Sequence, residues 1–277
     1  FIKSESVRRN QRSRSKQDQS GQVQDTPWTA LKICEVARNH KLKDLGLKFM
    51  DKLSNISQME IGPAFKKLQQ QISLCLDEPL RLKNGLAMIN NTNLSYFQSE
   101  QKAELFRLKA LFLERLGETR EAESAFSKCL NVCQSFGEGW LSWGQFYDRL
   151  LHIACRGESA AVLREDASLE LGAKTLEGLP LEYACHVMSC YLHAIYTRKE
   201  ENTQLLLARV LRLLQCDDPS GRLLKIFTMH VDDTPIWSWV VWIPQLISML
   251  GKEGSGQAHR VLTEIAKRYP QALYYSL

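Results

Sequence analysis

Cysteine and histidine side chains are concentrated in one short stretch of the chain. Cys185, His186, Cys190 and His193 lie within nine positions, and such side chains bind zinc in tetrahedral sites. The surrounding apolar residues predict a helix, on which 186 and 190 share a face while 185 points elsewhere. A zinc finger would also need a loop between its ligand pairs. We therefore interpret the stretch as small buried cysteines and partly exposed histidines on a packed helix, and we predict no metal site.

Other patterns that could support catalysis are weak or missing. Cys129 and Cys133 lie one helical turn apart inside a predicted helix, which favours core packing over metal binding or cross-linking. The aspartate pairs at 217–218 and 232–233 each precede a proline that can open a helix, so capping explains them. The sequence has no glycine-rich phosphate loop and no GxSxG motif. We predict no catalytic residue and no cofactor in this chain.

Three tryptophans, Trp237, Trp239 and Trp242, fall within six positions. Such a group could form an aromatic cage for a cationic ligand. Each indole also buries a large area when it packs, and helical spacing between 234 and 250 places the apolar residues on two adjoining stripes of one helix. We therefore favour packing in the core. Pro244 lies inside this predicted helix and should kink it, because an interior proline removes a backbone hydrogen bond.

Apolar residues recur at helical spacing from Trp28 onward, with short breaks and no alternating strand pattern. The clearest repeat lies between 104 and 150. Three residue pairs in it are separated by the tetratricopeptide period of 34 positions: Phe106 with Trp140, Ala110 with Gly144, and Leu113 with Tyr147. The sequence therefore predicts an all-α fold, an α-solenoid of tetratricopeptide-like helical hairpins.

Small and aromatic residues hold defined places in this repeat. Gly117 falls where the repeat puts the glycine of its turn. Ala110 and Gly144 are small because two helices must approach closely there. Phe126 and Trp140 are expected to fill the space between layers of helices.

Charge and cysteine content narrow the possible functions. The net charge is +5, but residues 1–24 hold six basic and two acidic residues, so the rest is close to neutral. A neutral body argues against a broad nucleic-acid face, which needs clustered Lys and Arg. Most of the eight cysteines lie among helical apolar residues, as in cytosolic or nuclear proteins with free thiols. No apolar run approaches the ~18 residues of a membrane span.

Two parts of the chain differ in composition. Residues 1–24 lack periodic apolar residues, which predicts a disordered basic linker; we favour a solvated loop over nuclear import or phosphate binding. Residues 25–277 form the helical-repeat segment, in which 156–180 is irregular and is a candidate insertion. Because the chain starts at Phe1 and a helical pattern runs to its end, we expect a piece of a longer protein.

Most of the helical segment resembles one family. Its short motifs occur in the order and at the spacings of the TRRAP family (transformation/transcription-domain-associated proteins), giant scaffolds related to the phosphatidylinositol 3-kinase-related kinases. Residues 156–180 and the N-terminal tail depart from the pattern. The motifs are DTPW at 25–28, ARNH at 37–40, FKKL at 65–68, NLSYF at 93–97, EAESAFS at 121–127, CYLHA at 190–194, WIPQL at 242–246, and YPQA at 269–272 with Tyr269 and Pro270.

This resemblance implies a FAT domain, a helical-repeat region that wraps a kinase-like domain further along the parent chain. In the TRRAP family that domain lacks catalytic residues. The parent is a nuclear scaffold of SAGA-type and related histone acetyltransferase complexes that docks transcriptional activators. The implied partners are activators, acetyltransferase-complex subunits and the kinase-like domain. From the charge and the apolar runs we expect no direct nucleic-acid contact by the body of the chain, and no membrane. No catalytic residue of the family maps onto this segment.

Two other functions stay open. The chain could be the FAT region of an active kinase of the same superfamily, in which case the downstream sequence would keep its catalytic-loop and metal-binding aspartates. It could also be an unrelated tetratricopeptide adaptor that grips peptide tails in a concave groove. That function needs inward-facing polar residues, and Lys102, Arg107, Lys109 and Gln145 do not decide the question.

Overall fold

The computed structural model describes residues 27–54, 59–156, 176–198, 203–251 and 256–274. Every regular element in these ranges is helical, and none of them contains a strand. The predicted linker at 1–24 lies outside the described residues, as does the 157–175 portion of the predicted irregular region.

The described helices fall into two compact units, divided between Gly85 and Leu86. In the first unit, apolar residues of two helices form a small core of Ala30, Leu31, Cys34, Met50 and Leu53. Helix α4 (Leu82–Asn90) spans the division. The elements of the first unit are α1 (Pro27–Asn39), α2 (Lys43–Ser54), α3 (Ile61–Leu76) and the 3-10 turn η1 (Pro79–Arg81).

The second unit contains the longer helices. Helix α5 packs against α6, α7 packs against α8, and α8 also contacts α9 and α10. Its elements are η2 (Leu94–Tyr96), α5 (Ser99–Arg115), α6 (Thr119–Val132), α7 (Gly137–Arg156), α8 (Leu179–Thr197), α9 (Gln204–Leu214), α10 (Arg222–His230), η3 (Val231–Asp233), η4 (Ile236–Trp242), α11 (Ile243–Met249), α12 (Gly256–Arg268) and α13 (Pro270–Tyr274).

The turn between α5 and α6 shows why this hairpin forms. Gly117 has a φ of 82°, a left-handed conformation that glycine adopts without steric cost. The turn is closed by two backbone bonds, from Gly117 N to Glu114 O at 3.0 Å and from Glu118 N to Leu113 O at 2.9 Å. These bonds satisfy carbonyl groups at the end of α5. The predicted position of the turn glycine is confirmed.

The 34-residue repeat relates α5 to α7. Leu113 and Tyr147 are both buried, and Ala110 has no exposed surface. Phe106 and Trp140 are both half-buried. Equivalent positions of the two helices therefore have equivalent burial, as expected for successive repeats of one helical hairpin.

The region 234–250 is not the single helix that we predicted. The chain instead forms η4 and then α11, and Trp242 occupies the residue position just before the new helix. Pro244 lies in the first turn of α11, where backbone N–H groups have no acceptor within the helix. Its missing N–H therefore costs no hydrogen bond, and Pro244 helps to start a helix instead of kinking one.

Candidate interaction surface

Glycine allows α7 and α8 to approach closely, and we call the contact between these helices the α7–α8 interface. A Cβ atom added at Gly144 would lie 2.6 Å from the ring of Tyr191 and 3.2 Å from Cβ of Cys190. One added at Gly137, seven residues earlier, would collide with Arg198. Real Cβ atoms do not come within such distances, so larger residues would push the helices apart. The close approach that the sequence predicted at Gly144 is present.

Aromatic rings form a second set of contacts in the α7–α8 interface. His193 stacks on Trp140 with ring centroids 4.4 Å apart, and His186 stacks on Tyr147 at 4.5 Å. The partners are seven residues apart on both helices, which matches two antiparallel helices in contact along two turns. Both histidines of the predicted packed helix therefore serve in ring stacking.

The cysteines of this region have the properties of packed thiols. Cys190 is buried, and burial raises its pKa to about 12. Burial, with Glu104 nearby, also raises the pKa of Cys129 to about 12. Zinc and nucleophilic chemistry both need the thiolate, which these sites disfavour at neutral pH. Across the part of the chain that the structure describes, no three His, Cys, Asp or Glu side chains are grouped as metal ligands.

Charged side chains tie α7 to its neighbours. Arg149 donates to both carboxylate oxygens of Glu114 on α5, at 2.5 and 2.7 Å. Asp148 accepts bonds from Arg209 on α9, the shortest at 2.5 Å, and from the hydroxyl of Tyr191 on α8 at 3.1 Å. Bidentate pairs of this kind fix orientation as well as distance. Three helices are therefore held against α7 in one defined arrangement.

Two of the four polar residues considered for a peptide-gripping groove, Arg107 and Lys109, already bind side chains within the chain. Arg107 donates to Glu104 at 2.6 Å and to Ser142 of α7 at 3.2 Å. Lys109 donates to Asn90 at 2.8 Å. These bonds weaken the tetratricopeptide-adaptor alternative, because a peptide carboxylate would have to displace them.

The three tryptophans of η4 do not share one environment. Trp239 is fully buried and meets Phe227 edge-on with centroids 5.6 Å apart. Trp242 is half-buried, whereas Trp237 is 50% exposed. A 3-10 helix has three residues per turn, so 236, 239 and 242 lie on one row that faces the core. The prediction of core packing is therefore confirmed for Trp239 and wrong for Trp237. Because the Trp239 ring has no exposed surface, it cannot line an aromatic cage that is open to a ligand.

Three further residues that the sequence analysis named, Phe126, Tyr269 and Pro270, are also divided between core and surface. Phe126 is fully buried, with its ring centroid 5.5 Å from that of Phe146. Tyr269 is 41% exposed, and Pro270 opens the short helix α13 at the surface. The sequence motifs therefore contain both core residues and solvent-exposed residues.

The first aspartate pair caps α10, as predicted. Asp217 accepts from the N–H groups of Leu223 at 3.0 Å and Leu224 at 2.9 Å. Asp218 accepts from the N–H of Arg222 at 3.1 Å, and hydrogen bonds led by that of Ser220 lower its pKa to about 2. Both carboxylates thus satisfy amides at a helix N-terminus.

The second aspartate pair lines an open cleft of ≈ 500 Å³ between η3, η4 and α12. Asp232 pairs with Arg260 at 2.7 Å, and Glu264 and Arg268 lie 3.9 Å apart on the opposite wall. The cleft brings together carboxylates and guanidinium groups. It can form charged surface contacts with a partner.

Sequence reasoning missed the polar contacts between α5 and α7, which are one hydrogen bond and one ion pair. Arg107 and Ser142, and likewise Glu114 and Arg149, are separated by 35 positions, one more than the repeat period. That common offset is the only signal that could have located them, because neither partner belongs to a recognised motif.

A comparison with protein-family models identifies the repeat region. The model of the FAT domain matches residues 15–215. The chain belongs to the FAT-domain family. This match and the helices described above confirm the predicted all-α fold class.

Comparison with individual proteins shows which members of the FAT family this chain resembles. The chain is 35% identical to "SAGA complex/NuA4 acetyltransferase complex subunit Tra1" of Schizosaccharomyces pombe, over 91% of this chain and 6% of that protein. It is 28% identical to human "Transformation/transcription domain-associated protein", over 88% of this chain and 6% of the relative. The predicted resemblance to the TRRAP family is confirmed, and this FAT chain spans only a small part of these relatives' length.

A kinase is also among the relatives of the FAT chain. "DNA-dependent protein kinase catalytic subunit" of Mus musculus is 29% identical over 44% of this chain and 3% of its own length.

No helix in the described part of the chain is long and apolar enough to cross a membrane.

Proposed function

We propose that this chain is a non-catalytic scaffold segment of a TRRAP-like transcriptional coactivator, which acts in the nucleus. In this proposal the parent protein docks activators and assembles histone acetyltransferase complexes. The observation that carries the proposal is the 35% identity to a SAGA/NuA4 subunit along 91% of the chain. Residues 25–277 serve as the helical-repeat segment and residues 1–24 as a basic linker.

The mechanism that fits this chain is fixed geometry. A scaffold holds several partners at set distances, so its own helices must resist rearrangement. In this chain α7 is held to α5 and α9 by bidentate ion pairs. The packed rings of His193 and His186 add contacts that depend on the same register. These contacts keep the helices in one relative arrangement, so that partners bound on the exposed surfaces stay at fixed distances from each other.

The test is affinity purification of the intact parent protein followed by mass spectrometry. Recovery of acetyltransferase-complex subunits is the expected result. Recovery of checkpoint or growth-signalling partners without those subunits would overturn the scaffold assignment. A parent carrying Arg209→Ala should recover fewer subunits, because α9 loses its ion pair with α7. Arg260→Ala, in the exposed pair with Asp232, is the matched control and should leave recovery unchanged.

The second candidate function is the FAT region of an active protein kinase. The partial likeness to a DNA-dependent protein kinase catalytic subunit favours it, although that likeness covers 44% of the chain against 91% for Tra1. Phosphoryl transfer by the purified parent would support the kinase only if it disappears when the catalytic-loop aspartate downstream is replaced. Absence of transfer in the presence of ATP and Mg²⁺ favours the scaffold.

A further inference from the structure

One histidine lies at the meeting point of three helices. His193 of α8 stacks on Trp140 of α7 at 4.4 Å, and it also meets His230 of α10 edge-on at 4.5 Å. Trp140 is fixed in place, since its indole N–H donates to the carbonyl of Gln134 at 2.8 Å. The ring of His193 therefore contacts both a fixed aromatic surface and a second imidazole ring.

The groups around His193 shift its pKa in opposite directions. Burial, followed by the nearby His230, lowers the pKa of His193, while Asp233 of η3 acts against this shift. Trp140 on the α7 side carries no charge, and the charges of Glu138 and Arg198 at this end of the α7–α8 interface pair with each other at 3.1 Å. Asp233 is therefore the counter-charge, and it is exposed to solvent.

We propose that the His193–His230 contact is an acid-releasable joint between α8 and α10. The two rings pack edge-on as aromatic partners. When both rings are protonated, two like charges face each other at a partly buried contact, and α10 separates from α8. The elements that follow α10 in sequence, η3 and η4, would then lose one of their connections to the unit.

The sign of the pH dependence follows from the lowered pKa. The unfolded chain binds a proton at His193 near pH ~6.5, whereas the folded chain does so only at lower pH. The stabilising contribution is therefore complete above ~6.5 and is lost as the pH falls toward the folded-state pKa. Acid weakens this joint, and alkali leaves it unchanged.

His186 provides an internal control on the same helix. It stacks on Tyr147 at 4.5 Å in the same manner, but it is exposed, and the described contacts place no second histidine ring against it. A protonated imidazole stacked on an aromatic face is tolerated through cation–π attraction. Its protonation should not open the α7–α8 interface.

The first experiment compares melting temperatures of the chain at pH 7.5 and 5.5. The variant His230→Phe keeps an aromatic ring in the contact and removes one group that can carry a charge. The wild-type chain should lose more stability on acidification, with a Tm decrease larger than that of His230→Phe by about 2–4 °C. His186→Phe should show the wild-type decrease. Equal decreases in wild type and His230→Phe would overturn the proposal.

Ring-proton NMR of the same proteins gives a second readout that does not depend on global unfolding. The His193 titration midpoint should lie below ~6.5 in the wild type and should rise in His230→Phe. A wild-type midpoint at or above ~6.5 would overturn the proposal even if the variant does not fold. An unchanged midpoint in a folded His230→Phe chain would do the same.

Discussion

The α7–α8 interface and the C-terminal helical segment (231–274) hold their helices together in different ways. Helices α7 and α8 are 20 and 19 residues long, and their contacts are spread over glycines, stacked rings and ion pairs. The described C-terminal segment has shorter elements, with α11 and α13 only 7 and 5 residues long. Helices this short have little stability on their own, so the C-terminal segment depends on the few side chains that it buries.

The two regions also differ in what they leave at the surface. On α7 the residues that face α8 are buried or half-buried. In the C-terminal segment Trp237, Val241 and Tyr274 are 50%, 55% and 79% exposed. The α7–α8 interface therefore holds its helices in a fixed arrangement, whereas the C-terminal segment leaves apolar and charged side chains exposed to solvent. Substitutions in the two regions should therefore have different sizes and different consequences.

The largest effect is expected where the C-terminal segment concentrates its packing. Trp239→Ala removes a fully buried indole and should lower the free energy of unfolding by ~3–5 kcal/mol. Urea denaturation followed by far-UV circular dichroism measures the change. A loss below ~1 kcal/mol would contradict the idea that this segment depends on a few buried residues.

Trp237→Ala is the matched control two positions earlier. This side chain is 50% exposed, and its replacement should change the free energy of unfolding by at most about 0.5 kcal/mol. Because the same residue type is truncated in the same 3-10 helix, the difference between the two variants reports burial. A large effect of Trp237→Ala would instead place Trp237 in the core, as the sequence suggested.

An intermediate effect is expected in the α7–α8 interface. Gly144→Ala adds a Cβ at 2.6 Å from the ring of the buried Tyr191, and overpacking of this kind typically costs ~1–3 kcal/mol. Gly256→Ala is its counterpart in the C-terminal segment, where the added Cβ meets nothing within 4 Å, and it should be neutral or stabilising by up to ~1 kcal/mol. Differential scanning calorimetry of both variants tests the pair, and a stabilising Gly144→Ala would show that α7 and α8 can move apart freely.

The features that the sequence predicted well are local. The 34-residue spacing, the glycine of the turn at 117 and the small residue at 144 each reflect one position with one steric requirement. The capping by Asp217 and Asp218 was equally predictable, because the acceptor and the amides lie within seven residues. Gly144 is the exception, because the ring that requires its small size, Tyr191, lies on another helix.

The features that escaped prediction depend on distant partners or on ambiguous periodicity. In residues 236–242 nearly every side chain is apolar, so α-helical and 3-10 spacing fit the sequence equally well, and the exposed position of Trp237 could not be read from it. Pro244 gave a usable signal, since proline favours the first turn of a helix. His186 and His193 gave none, because their aromatic partners lie on another helix about 40 to 50 positions earlier.

The smallest effect is expected for single ion pairs, and here the two regions can be compared directly. Arg209→Ala leaves Asp148 without its bidentate partner at a site where the side chains are 15% and 22% exposed. Full burial would make this loss severe, but solvent screening at this exposure reduces it to roughly 1–2 kcal/mol. Arg260→Ala breaks a pair of the same chemistry whose side chains are 52% and 61% exposed, and it should cost less than ~0.5 kcal/mol. Urea denaturation at low and high salt separates the cases, because salt screens exposed charges more than buried ones. Equal losses for both variants, with equal salt dependence, would mean that the Asp148–Arg209 pair behaves as a surface pair and that packing alone holds α9 against α7.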